Sequence, residues 1–151
     1  MRIRATLDSN ILVYAALEPD SFKGEVAADL IRRAAPHGIL AVQALLEFVA
    51  VVRRRAPSLT AKAVRQAEAW AAVFETAPST LLVMGAALRL VDAHRFQVWD
   101  AVIICAARAA GATVFFSEDL QDDLSLDGLR VVNPFARGGV ALAAMLDPKR
   151  G

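Results

Sequence analysis

Apolar positions along the chain alternate between short aliphatic runs and longer stretches of helical spacing. Residues 3–7 have strand character and run directly into Asp8-Ser9-Asn10, three residues that favour turns and helix caps. Over residues 21–35, Val26, Leu30 and Ala34 recur every fourth position while Asp29 and Arg33 pair on another face. That spacing predicts an amphipathic helix stopped at Pro36-His37-Gly38. Residues 39–42 predict a second strand, and 43–56 a helix with Leu45, Phe48, Val49 and Val52 on a broad apolar face and Glu47 in its first turns. Pro57-Ser58-Leu59-Thr60 ends this helix and caps the next, predicted to run to Pro78 through Val64, Ala67, Trp70, Ala71 and Phe74. The run 81–84 reads as a third strand, 86–94 as a helix, and 100–110 as a helix apolar nearly all round, which should therefore be buried. Gly111 closes it. Residues 113–116 predict the next strand, with Ser117-Glu118-Asp119 at its carboxyl end, and Val131-Val132 before Asn133-Pro134 predicts an edge strand.

Strands separated by helices imply an α/β fold with a parallel sheet covered by helices on both faces. With 151 residues, one domain is expected, burying roughly two thirds of the surface of the unfolded chain. Residues 1–135 should form it, with 136–151 a tail or packing segment. No repeat, low-complexity segment or linker interrupts this organisation. The lone Cys105 lies in an apolar run, which excludes an intramolecular disulfide and suits a buried thiol. Charges appear too early at the N-terminus for a signal-peptide core, and no apolar stretch reaches membrane-spanning length, so a cytoplasmic location is expected, with no membrane partner. The net charge of +1 argues neither for nor against nucleic acid. Apolar residues make up 56% of the chain, more than a small domain buries, so an exposed apolar patch is expected on the helices 43–56 and 60–77.

In open parallel sheets the ligand crevice lies at the carboxyl ends of the strands. Four acids map there: Asp8 after the first strand, Glu47 in the helix after the second, Asp100 at the start of the buried helix, and Asp119 after the fourth strand. Each alone can be read as a helix-terminal acid complementing the dipole. Glu47 differs, because Leu45, Leu46, Phe48 and Val49 flank it and an unpaired charge there is costly. Carboxylates gathered at one edge repel one another unless a cation joins them, and oxygen-only ligands select Mg²⁺ or Mn²⁺. No His/Cys spacing suits zinc; His37 lies in a turn and His94 near a helix end. An acidic metal site without a dedicated nucleophile points to phosphodiester hydrolysis by activated water. Asn10 and Ser117 are placed to orient a ligand or water.

The segments Asp8-Ser9-Asn10, Gln43-Ala44-Leu45-Leu46-Glu47-Phe48, Trp99-Asp100-Ala101-Val102-Ile103 and Ser117-Glu118-Asp119-Leu120, in this order and spacing, resemble those of PIN-domain proteins, in particular the VapC-type toxins of bacterial toxin-antitoxin modules. The resemblance runs from residue 3 to about 135. It implies a Rossmann-like PIN fold and an Mg²⁺- or Mn²⁺-dependent endoribonuclease inhibited by a cognate antitoxin, with Asp8, Glu47, Asp100 and Asp119 as catalytic metal ligands and Asn10 and Ser117 in support. It also suggests a homodimer, and an antitoxin helix lying on the apolar face. Where relatives often carry glycine, this chain has Asp122-Asp123, so the fourth acid is open among Glu118, Asp119, Asp122 and Asp123.

A dehalogenase-like phosphatase needs a second Asp where Asn10 stands, and no glycine-rich phosphate loop is present. The alternative function is a non-catalytic RNA-binding or interaction module of the same fold. Arg53-Arg54-Arg55 suits both RNA phosphates and the solvated last turn of a helix. Trp70 and Trp99 offer planes for base stacking, but their apolar spacing favours core or interface packing.

Overall fold

The computed structural model describes residues 3–136 and 139–146. Its centre is a six-stranded sheet of β1 (Ala5–Leu7), β2 (Ile39–Ala41), β3 (Glu75–Ala77), β4 (Val114–Phe116), β5 (Ser125–Leu126) and β6 (Leu129–Val132), in the order β3-β2-β1-β4-β6-β5. All neighbours are parallel except β5, which pairs antiparallel with β6. The helices are α1 (Ser9–Leu17), α2 (Phe22–Ala34), α3 (Val42–Arg55), α4 (Thr60–Val73), α5 (Leu81–His94), α6 (Val98–Ala109) and α7 (Gly139–Leu146).

Period-two alternation divides the strand residues between two cores. Leu7, Leu40, Val114 and Phe116 face α1 to α4 and α7, while Ile39, Ala41, Phe115 and Val131 face α5 and α6. Both faces of the sheet are therefore dry, and the strand backbones run through the middle of the domain. Helix α6 is buried along Ala101 and Ile103 to Ala107, Cys105 included, as its all-round apolar character predicts.

Three expectations need correction. Helix α4 stops at Val73, and the third strand is Glu75–Ala77, not 81–84. Phe74 turns to extended backbone, and Thr80 accepts a hydrogen bond from the Val83 amide at 3.2 Å, so Leu81–His94 is one helix. The apolar run 81–84 masks this cap, while the true strand is short and mostly exposed and shows no alternation. Val132 lies inside the sheet: β5 is the edge, joined to β6 by an Asp127-Gly128 turn with φ of 47° and 88°. That dipeptide is a hairpin signal. Helix α1 occupies a stretch for which periodicity gave no element.

The exposed apolar surface is also displaced. Leu45, Phe48, Val52 and Phe74 are buried, whereas Leu81 and Leu82 on α5 are 79% and 87% exposed. A groove between α3 and α4 does remain, with Leu46 and Val64 exposed along it. In the stretch 136–151, expected as a tail or packing segment, α7 places Leu142 in the core against α2; residues 137, 138 and 147–151 lie outside the described residues. No helix among the described residues is long and apolar enough to cross a membrane.

Candidate active site

Strand β1 delivers Asp8 to the carboxyl edge of the sheet, where it caps α1 by accepting from the Ser9 amide at 2.7 Å. Its other oxygen accepts from the Ser117 hydroxyl at 2.9 Å, brought alongside by the parallel register of β1 and β4. Asp8 is almost fully buried, and its carboxyl is pushed up to about 7, first by burial and then by the charges of Asp100 and Asp119, against the opposing pull of its hydrogen bonds. Asp100, in the first turn of α6, is raised to about 6 by burial and by the charges of Glu47 and Asp119. Glu47, in the second turn of α3, finds the partner its apolar surroundings require: the Ser9 hydroxyl donates to it at 3.1 Å. Asn10 donates from Nδ2 to Asp119 at 2.7 Å, and the Asp119 amide reaches Ser117 Oγ at 3.2 Å.

All four acids and Asn10 line one cleft of about 730 Å³, and Ser117 supports it from behind Asp8. The other acids near Asp119 turn elsewhere. Glu118 accepts from Tyr14 and from Lys23, the latter at 2.7 Å; Asp122 accepts from the Asn133 amide at 2.7 Å; Asp123 pairs with Arg130 at 2.6 Å. The cleft lining thus includes Asp119 but not Glu118, Asp122 or Asp123, and neither His37 nor His94.

Among the described residues, no three Asp, Glu, His or Cys side chains stand close enough to hold a metal ion unaided. The donor set still fits a hard divalent cation, which takes one or two carboxylates and keeps several waters. Asp8 and Asp100, raised first by burial and then by neighbouring carboxylates, are groups whose charged forms such an ion would favour.

Several further residues complete the cleft. Ser9 links Asp8 to Glu47, for which its place beside the acid was the only signal. Arg95 and Gln97 enter the lining from the α5–α6 connection, and Trp99, which the sequence offered for base stacking or for packing, joins them from the first turn of α6. Trp99 is 57% exposed, contrary to a core position, whereas Trp70 stacks edge-on against Phe48 at 4.9 Å. The arginine triplet divides: Arg53 borders the α3–α4 groove, Arg54 the cleft, and Arg55 lies 3.7 Å from Glu18.

The model of the PIN domain family matches residues 5–124. The chain belongs to the PIN-domain family. No curated protein matches the sequence. Among solved structures, a sarcin-ricin-loop-cleaving VapC toxin of Mycobacterium tuberculosis is similar at 18% identity and TM-score 0.60, covering 76% of this chain and 91% of that one. A toxin-antitoxin complex from Klebsiella pneumoniae aligns at 16% identity and TM-score 0.65, over 86% and 97% of the two chains. DNA-bound VapBC from Salmonella typhimurium aligns at 12% and 0.61, over 85% and 96%. At these identities the likeness establishes the fold, and this PIN domain shares it with VapC toxins.

Proposed function

We propose that this PIN domain is an Mg²⁺- or Mn²⁺-dependent endoribonuclease and the toxin of a toxin-antitoxin pair. The observation that carries the reading is the gathering of Asp8, Glu47, Asp100 and Asp119 around one cleft at the carboxyl edge of the sheet. Asp8 and Asp100 would hold the ion, with Glu47 and Asp119 completing its surroundings. Ser9 and Ser117 aim the two oxygens of Asp8, and Asn10 holds Asp119 toward the cleft. When bound, the ion supplies positive charge against the phosphodiester and makes water a better nucleophile. The protein's own part is to keep these oxygens oriented before substrate arrives, so that little reorganisation accompanies the reaction.

The same reading gives the α3–α4 groove an occupant: an amphipathic antitoxin segment laid over Leu46 and Val64. Support comes from the neighbours described as toxin-antitoxin complexes. A homodimer through the exposed side of α5 and a cytoplasmic site of action complete the proposal.

Cleavage of defined RNAs with and without Mn²⁺ tests it. Chelator should abolish hydrolysis, and Asp8→Asn or Asp100→Asn should each slow it at least about a hundredfold with the fold intact, the scale of losing a principal catalytic electrostatic contact. Full activity in excess chelator, or in both variants, would contradict the proposal.

A further inference from the structure

The cleft carries cationic groups that the acidic site does not use. Arg54, in the last turn of α3, and Arg95, between α5 and α6, both line it, and neither guanidinium has an ion-pair or hydrogen-bond partner among the described residues. Two arginines beside four carboxylates, without forming a salt bridge, leave the acids available to a cation and remain available to an anion themselves.

Arg54 alone has a bland account, since a cation in a final helical turn complements the dipole. Arg95 does not. It caps α5 in left-handed backbone at φ 56°, a position where glycine is usual and carries no Cβ cost. The other non-glycine residues with positive φ among the described residues are Asp123 and Asp127, and aspartate tolerates that region better than arginine does. An arginine held there against backbone preference, at a position that lines the cleft, is a feature that stability does not explain. Four residues later, Trp99 presents a mostly exposed indole to the same cleft, without a ring contact to another aromatic among the described residues.

We infer that Arg95, Arg54 and Trp99 form the substrate-holding surface of this site: the arginines take backbone phosphates beside the acids, and Trp99 stacks against an unpaired base. Stacking needs a base free of its duplex partner, so the substrate class is single-stranded or loop RNA. The inference rests on the ribonuclease reading and adds to it the residues that grip the chain. They are binding and positioning residues, separate from the acids.

The test is the anisotropy of a short fluorescein-labelled single-stranded RNA titrated with the intact protein in excess chelator, where the proposed reaction is blocked, at several salt concentrations. Trp99→Ala should weaken binding about fivefold to a hundredfold, the scale of one lost base stack, with Trp99→Phe retaining most of it. Arg54→Gln should reduce the slope of log affinity against log salt by about 0.7, one phosphate contact on a single strand. Arg95→Gly separates the two accounts of that residue: it should raise the melting temperature by relieving the left-handed backbone, yet weaken RNA binding. Unchanged affinity in Arg95→Gly and Trp99→Ala, while the parent binds, would overturn this inference and leave the ribonuclease reading standing. So would a Trp99→Ala variant that changes oligomeric state with RNA affinity intact. A parent protein that neither binds nor cleaves RNA would overturn both.

Discussion

Asp8 combines near-complete burial with two oriented donors, and the balance between them sets how the metal-free protein responds to pH. Burial favours the neutral carboxyl, the Ser9 and Ser117 hydrogen bonds favour the anion, and burial prevails, aided by the charges of Asp100 and Asp119. The folded protein therefore keeps this proton up to about pH 7, whereas the unfolded chain loses it near 3.8. Between those values the native state binds more protons than the unfolded one, so stability falls as pH rises. The contribution is complete below the lower value and lost above the upper one, and a shift from 3.8 to about 7 is worth about 4 kcal/mol at 1.36 kcal/mol per unit. In excess chelator the melting temperature should accordingly drop between about pH 4 and about pH 7, and Asp8→Asn should flatten that slope. Millimolar Mn²⁺ should restore stability at the alkaline end, and Glu47→Gln should blunt the effect. Calorimetry across this range decides the point; a flat profile for the chelated parent would show that burial does not govern Asp8.

Helices α1 and α2 meet through a contact that helix propensity alone would misjudge. Ser21 caps α2 by accepting from the Gly24 amide at 3.0 Å, and its hydroxyl donates to the Glu18 carbonyl at 2.7 Å, which folds the connection onto the first turn of α2. A Cβ at Gly24 would stand 1.7 Å from the Glu18 carbonyl oxygen. By propensity, Gly24→Ala would stabilise a helix by about 1 kcal/mol. The backbone clash outweighs this, because separating the helices opens a packed interior, at about 1 to 3 kcal/mol. Gly24→Ala should therefore lower the urea midpoint; an unchanged or raised midpoint would mean that the α1–α2 connection yields freely. Since Asp8 caps α1, and α2 carries the Lys23 that pairs with Glu118 beside Asp119, the same hairpin supports two of the cleft's acidic segments.

At the scale of the whole molecule, two dry cores on one sheet leave α5 with apolar residues on its outer side. Leu81, Leu82, Met84 and Leu88 are all at least half exposed. A face of this kind on a small domain marks an interface, and a second copy meeting it across a two-fold axis would cover the same residues on both sides. Light scattering at micromolar concentration should find a dimer for the parent and a monomer for Leu82→Glu combined with Leu88→Glu. A monodisperse monomeric parent would remove α5 as a self-association surface.

What the sequence by itself determined is the material that local chemistry marks strongly. The amphipathic helix 22–34 announced itself through fourfold spacing, the buried α6 through its all-round apolarity, and the four acids through their places after strands or inside apolar surroundings. Glu47 was legible because a charge among Leu45, Leu46, Phe48 and Val49 demands a partner, although nothing local named Ser9 as that partner. Tertiary structure decided what depends on neighbours distant in the chain. Glu75–Ala77 is a strand because β2 lies beside it, and Leu81–Met84 is helical because Thr80 caps it and the sheet already has its third strand. Among Glu118, Asp119, Asp122 and Asp123, all carboxylates and nearly adjacent, the packing of Lys23, Arg130 and the Asn133 amide around the others separates the one that lines the cleft. The arginines and tryptophan of the cleft were likewise ambiguous for the same physical reason. A side chain's type fixes what it can bind, whereas its exposure and its free partners are set by elements that meet only when the sheet closes around them.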